Sequence, residues 1–398
     1  MKPIESTRRI RVLHIVGGMN RGGVETWLMH VLRHIDRERF QMDFMVHTTE
    51  PCSYDSEVHA LGSRILPCLH PNRPWHYARN FRRIVAAYGP YDIVHSHVHH
   101  YSGYTLCLAH RAGIPIRIAH SHNDASPKDI SPSPLRWIYL TTTERFIRRY
   151  ATIGLAASGK AAEALFGREW QRSSFCRLLY YGIDLAPFRV QADPSVRAAL
   201  QLPPDAFVIG HVGRFDEQKN HRFLLEIFRH VADADRRVRL MLIGDGALRP
   251  AIERRVTELG LEKRVVLTGI RADVPRLLLN ALDLFVMPSL HEGLGLVCLE
   301  AQAAGLQCLF ANTIPDEADV VPQLVTRLQL SQSASAWARV VLDTRDHVRR
   351  ISQPEALVLM EKSPFDIRRS AAELARLYRN ATDHPRRVPR SSPEMLVI

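Results

Sequence analysis

Short apolar runs in this chain repeatedly end at a glycine- or proline-rich turn and give way to a stretch with helical spacing. Arg11-Val12-Leu13-His14-Ile15-Val16 reads as a strand, and Gly17-Gly18-Met19-Asn20-Arg21-Gly22-Gly23 as a turn. Residues 24–34 then read as a helix, with Val24, Trp27, Leu28, Val31 and Leu32 at core spacing. The same logic predicts strands over 41–47, 65–67, 91–97, 116–120 and 152–157, and helices over 76–88, 104–111 and 135–150. A proline-rich stretch, 180–204, interrupts the series. It then resumes with strands over 207–212, 238–243, 265–268, 284–287 and 308–311, and helices over 220–231, 249–259 and 274–280. Strands alternating with helices imply a parallel sheet covered on both faces. Two such series in 398 residues allow two α/β domains, each with its own core. Past residue 322 the pattern weakens to helices over 333–342 and 365–378, and the polar tail 382–398 is expected to be disordered.

Bulk properties exclude several classes. No apolar run reaches the ~18 residues a spanning helix needs, and the basic N-terminus lacks the cleavage pattern of a signal peptide. Six cysteines without a C-x-x-C pair predict reduced, buried thiols in a cytoplasmic protein. A net charge of +12 favours anionic partners. With no nucleic-acid-binding motif beside it, the charge points to phosphates or an anionic membrane, and no nucleic acid is expected.

The densest candidate site is Pro288-Ser289-Leu290-His291-Glu292-Gly293-Leu294-Gly295-Leu296, running on through Glu300 to Gly305. It follows a strand and opens a helix. Gly293 and Gly295 permit close backbone approach, and the helix start offers unpaired N–H groups to an anion. Glu292 and Glu300 suit sugar hydroxyls, which donate to an ionised acid. Together these outline a nucleotide-sugar site. Gly213-Arg214-Phe215-Asp216-Glu217-Gln218-Lys219-Asn220 puts two cations, Arg214 and Lys219, before a helix, as a diphosphate would require. The Gly22-Gly23 turn fits neither a dinucleotide fingerprint nor a P-loop, yet sets amides at a helix start.

His120 and His122 lie at a strand's carboxyl end, where open α/β sheets bind ligands. Either can meet a sugar hydroxyl, handle a proton or serve as a structural core histidine. His95, His97, His99 and His100 form a second histidine tract without an adjoining acidic ligand, so no metal is expected there. Asp233-Ala234-Asp235 spells a D-x-D but sits beside Arg236-Arg237 past a helix end, which reads as a solvated turn. Asp245-Gly246 reads as a structural turn.

The order Gly22-Gly23-Val24-Glu25, GRFDEQKN, IGDG, DVPRLL and HEGLGLVCLEAQAAG, over residues 10–325, resembles the retaining family-4 glycosyltransferases of the GT-B fold. The likeness is strongest to bacterial exopolysaccharide and capsule enzymes. It implies two Rossmann-like domains facing each other across a cleft: an acceptor-side domain over 1–184, a donor domain over 185–364 and a helix over 365–381 crossing back to the first. It also implies that Glu292 meets the donor sugar, Glu300 the ribose, and Arg214 and Lys219 the diphosphate. Amides near Gly22 and Gly23 assist from the first domain, and Gly293, Leu294, Gly295 and Leu296 line the donor. His122 matches the active-site histidine, with His120 as the alternative. The implied reaction is metal- and cofactor-independent transfer from a UDP- or GDP-sugar to a saccharide; the basic first domain and the lack of a spanning helix add the expectation of a cytoplasmic enzyme that meets a lipid-linked acceptor at the inner face of the cell membrane. Tyr181, Asn220 and Gln307 depart from frequent family residues, none at a charged contact. A sugar-nucleotide epimerase of the same fold and a non-catalytic sugar-nucleotide binder are the competing readings.

Overall fold

A computed structural model describes residues 8–123, 133–172, 174–191, 193–346 and 351–384. Seven strands form the first sheet: β1 (Ile10–Val16), β2 (Phe40–Val46), β3 (Ile65–Pro67), β4 (Ile93–Ser96), β5 (Ile116–Ser121), β6 (Ile153–Ala156) and β7 (Cys176–Leu178). Six form the second: β8 (Phe207–Val212), β9 (Val238–Ile243), β10 (Val265–Gly269), β11 (Leu284–Met287), β12 (Gln307–Ala311) and β13 (Val325–Leu328). Their orders are β3-β2-β1-β4-β5-β6-β7 and β10-β9-β8-β11-β12-β13. Every pairing within them is parallel. The strands are short apolar runs because helices cover both faces of each sheet, so alternate residues need not be polar.

Each order reverses once, between β1 and β4 and between β8 and β11. Ligands of open parallel sheets bind outside the strand carboxyl ends at such switch points. The loops carrying Gly22-Gly23, Arg214-Lys219 and Glu292-Gly295 follow β1, β8 and β11, three of the four switch-point strands.

The expected helices are present with ends shifted by a few residues, as 74–88 for 76–88 and 102–111 for 104–111. Edge strands β7 and β13 and helices Asp55–Ala60, Gly159–Phe166, Ser195–Ala199 and Gln353–Lys362 add to the expected set. The last helix runs Ile367–Asp383, longer than the expected 365–378 and into the first residues of the expected tail. The rest of the tail, from residue 385, lies outside the described residues, as does most of the loop after Asn123.

That last helix packs on the first domain, against helix Gly23–His34 and β1. Ile367, Ala371, Leu374, Leu377 and Tyr378 are buried on one face. The Tyr378 hydroxyl lies 2.7 Å from His95 Nδ1 in the first domain. Ser370 Oγ donates to the Tyr180 carbonyl at 2.8 Å. Elsewhere across the cleft, the Gly159 N–H donates to Glu317 Oε1 at 2.8 Å and Lys160 Nζ to the Thr313 carbonyl at 2.9 Å. All six cysteines are free thiols, five of them buried.

Candidate active site

Two loops of the second domain are stitched together. Buried Phe215 anchors the loop after β8: its N–H donates to the Asp245 carbonyl and its carbonyl accepts from the Leu248 N–H, both at 2.9 Å. The Asp216 carboxylate caps the short turn Glu217–Lys219. Asn220, at φ 55°, then starts helix His221–Ala234, a left-handed conformation that Asn tolerates. Asn220 Nδ2 donates to the Pro288 carbonyl at 3.1 Å and Gln218 Nε2 to the His291 carbonyl at 2.9 Å. The Leu290 N–H donates to the Gln218 carbonyl at 2.8 Å.

The stitching brings Lys219 Nζ to 2.6 Å from Glu292 Oε1, with side chains only 14% and 6% exposed. The resemblance gives these residues separate partners, phosphate and sugar. In the structure each is the other's partner, so a ligand meets a charge pair that can be divided between them. Arg214 is 71% exposed and touches Asp216 only at 3.6 Å. It is the accessible cation of the loop.

Gly295, at φ 79°, precedes helix Leu296–Ala303. Gly293 has a different reason to lack a side chain: a Cβ there would overlap the carbonyl oxygen of His122. The glycine that reads in sequence as room for an anion makes room for the opposite domain. Leu294 and Leu296 are buried beneath the loop. Glu300 sits half-buried on the helix, and burial pushes its carboxyl up to about 7.

On the first-domain side, Gly22 caps helix Gly23–His34, and the Glu25 carboxylate folds back over it. Burial raises the Glu25 carboxyl above the usual range; its own backbone N–H and the Arg214 charge pull it partly down. Glu25 therefore faces the cation of the other domain. The only sequence signal for it is an acid in the first turn after the glycines, which does not by itself name a partner.

His122 is buried among histidines. His97 Nδ1 lies 2.8 Å from His122 Nε2, and His97 Nε2 lies 2.9 Å from His14 Nδ1. His95 Nε2 lies 3.0 Å from His120 Nδ1. Tyr181, a departure from the family pattern, stacks on Trp27 at 4.6 Å and closes the cluster's side. Burial is the first cause holding all five histidines neutral, with His14 and His120 down to about 3 and the others well below the usual value. His14, His95 and His97, and again His97, His120 and His122, bring ring nitrogens within 4.8 Å of one another. Most of the ring nitrogens are hydrogen-bonded within the cluster, while His14 Nε2, His120 Nε2 and His122 Nδ1 are buried without a protein partner. His14 is silent in sequence, because one histidine in an apolar strand carries no signal.

The D-x-D carboxylates are taken by arginines. Asp233 pairs with Arg229 at 3.0 Å, and Asp235 with Arg237 and Arg345.

The first domain matches the "Glycosyl transferase 4-like domain" model over residues 22–178, and the second matches "Glycosyl transferases group 1" over 206–344. EpsF of Bacillus subtilis (strain 168), assigned as a glycosyltransferase, is 37% identical over 83% of this chain and 86% of its own. The chain belongs to the family-4-like glycosyltransferases of group 1. The UDP-Gal:alpha-D-GlcNAc-diphosphoundecaprenol alpha-1,3-galactosyltransferase of Escherichia coli is 24% identical over 76% of this chain and 80% of its own. The crystal structure of Anabaena Alr3699/HepE in complex with UDP and glucose superposes with a TM-score of 0.78 at 19% identity. It covers 93% of this chain and 99% of that one, which confirms the GT-B fold. The family match favours neither the epimerase nor the non-catalytic reading.

Proposed function

We propose that the enzyme transfers a sugar, with retention and without metal or cofactor, from a UDP- or GDP-sugar to a hydroxyl of a lipid-linked saccharide. The observation that carries this reading is the nearly buried Lys219–Glu292 pair, with exposed Arg214 on the same loop as Lys219 and Gly293, next to Glu292, set against the His122 carbonyl. Arg214 and Lys219 hold the diphosphate, while Glu292, released from Lys219, accepts from a donor-sugar hydroxyl. Glu300 accepts from the ribose, and His122 donates to the sugar. The acceptor hydroxyl attacks the anomeric carbon on the face the diphosphate leaves. The carbon–phosphate-oxygen bond breaks, and the acceptor proton passes to the departing phosphate oxygen. Fixed cations stabilise charge as it develops there, and preorganised charge of this kind commonly lowers a barrier more than any other single effect.

A lipid-linked acceptor fits two surfaces. Trp75 is 78% exposed at the start of helix Pro74–Tyr88; Leu135, Trp137 and Ile138 are 82%, 60% and 54% exposed at the start of helix Pro134–Tyr150. Both helices follow strands of one parallel sheet, so both begin at its ligand-binding edge. Arg73 and Arg79 flank the first start and Arg136 the second, all exposed. Aromatic rings with arginines suit an anionic bilayer interface, here the inner face of the cell membrane. No helix among the described residues is long and apolar enough to cross a membrane. The E. coli relative's named acceptor, a diphosphoundecaprenol-linked sugar, supports the same class.

A panel of nucleotide sugars, assayed by thermal stabilisation and slow donor hydrolysis, tests the site, with Glu300→Ala as control. One donor should stabilise the parent and not the variant. Equal binding by both removes the donor-site assignment.

A further inference from the structure

Three neutral imidazoles form an unbranched chain, His122–His97–His14, joined at 2.8 and 2.9 Å. Both ring nitrogens of His97 are used. The two remaining nitrogens, His122 Nδ1 and His14 Nε2, are buried without a protein partner. A neutral imidazole has one N–H and one lone pair. Three rings therefore carry three N–H groups. Two are consumed in the links and one is left at an end of the chain. The links allow only two arrangements, with the spare N–H on His122 Nδ1 or on His14 Nε2.

The surroundings choose between them. His14 stacks on Phe44 with centroids 5.4 Å apart and is wholly buried. A stranded N–H in such a place is rarer in proteins than an unpaired acceptor, so the lone pair belongs at His14. His122 is the end of the chain nearest the cleft, its backbone carbonyl packed on Gly293 of the donor loop, so a ligand oxygen reaching in from there is the acceptor for the spare N–H. We infer that His97 is a positioning residue. Accepting from His14 Nδ1 and donating from its own Nδ1 to His122 Nε2, it fixes His122 as a hydrogen-bond donor at Nδ1. The second chain, Tyr378–His95–His120, lies alongside, with His95 and His97 centroids 4.2 Å apart and their planes tilted by 33°, and packs against the first.

This inference rests on the reading of His122 as the residue that meets the donor sugar, and two measurements separate them. Nitrogen NMR of protein labelled with 15N-histidine reads tautomers without substrate. His14, His97 and His122 should each carry the proton on Nδ1, unchanged between pH 6 and pH 8. A proton on His122 Nε2, or a His122 that titrates in that range, overturns the inference whether or not any donor is turned over. Kinetics supply the second readout. His97→Asn puts an amide N–H where Nδ1 was and should retain most activity. His97→Phe preserves the aromatic packing but not the donor, and should lower kcat roughly 10- to 100-fold with donor Kd unchanged. A purely structural role predicts the reverse ranking, because Phe fills the cluster better than Asn. Should either variant fail to fold, the wild-type tautomers decide.

Discussion

The nearly buried Lys219–Glu292 pair makes each residue hostage to the other. Removing one partner of such a pair strands a charge out of water, a loss of roughly 3–5 kcal/mol. Lys219→Ala should therefore lower folding stability by about that much in urea titrations, and Lys219→Met with Glu292→Gln by clearly less than the sum of the single changes. Glu300 responds to pH. Burial lifts its carboxyl to about 7, above the unfolded value, so in the free protein its contribution to stability is full below the unfolded value and fades as pH rises through about 7. On the proposed reading Glu300 accepts from the ribose, and a hydroxyl donates best to the ionised form, so donor binding should expel a proton. Affinity measured by calorimetry should then rise from pH 6 to pH 8 and level off, and Glu300→Gln should flatten the curve. Gly293 answers to packing: Gly293→Ala drives a methyl into the His122 carbonyl, and overpacking of this kind costs about 1–3 kcal/mol. Its melting temperature and transfer rate should fall together.

Among the elements, the C-terminal helix Ile367–Asp383 has the widest consequences. Its amphipathic spacing was visible, since Ile367, Ala371, Leu374 and Tyr378 recur at helical intervals. Its destination was legible only through family likeness. Tyr378 is wholly buried and its hydroxyl meets His95. Tyr378→Phe removes one hydrogen bond and leaves a buried ring nitrogen unpaired, worth about 1–3 kcal/mol. Hydrogen exchange should accelerate along this helix and at β4 together, and exchange confined to the helix would contradict the coupling. Edge strands β7 and β13 are hidden in the sequence because Cys176-Arg177-Leu178 and Val325-Thr326-Arg327-Leu328 are too short and mixed to show a period. They are strands because neighbours β6 and β12 offer a free edge.

For the whole molecule, the proposed function depends on two domains meeting at the switch points of their sheets. Glu317, accepting at the start of helix Gly159–Phe166, and Lys160, donating to Thr313, tie the domains together at one side of the cleft. The exposed apolar and basic helix starts of the first domain set a separate expectation. Binding to vesicles containing anionic lipid should weaken with added salt. The combined Trp75→Ser and Trp137→Ser change should reduce co-sedimentation while leaving donor binding intact.

By itself the sequence determined the alternation of strands and helices, hence two parallel sheets. It also placed Arg214, Lys219, Glu292 and Glu300 on loops at strand ends, because periodicity, glycines and charge are local properties of a chain. Tertiary structure alone decided what those residues touch. Lys219 and Glu292 lie 73 positions apart in sequence yet form one pair, Gly293 faces the first domain and not only an anion, and His14, His97 and His122 from three strand regions become one hydrogen-bonded chain. Such partners are set by strand order and domain closure, and neither is written in the spacing of any single stretch.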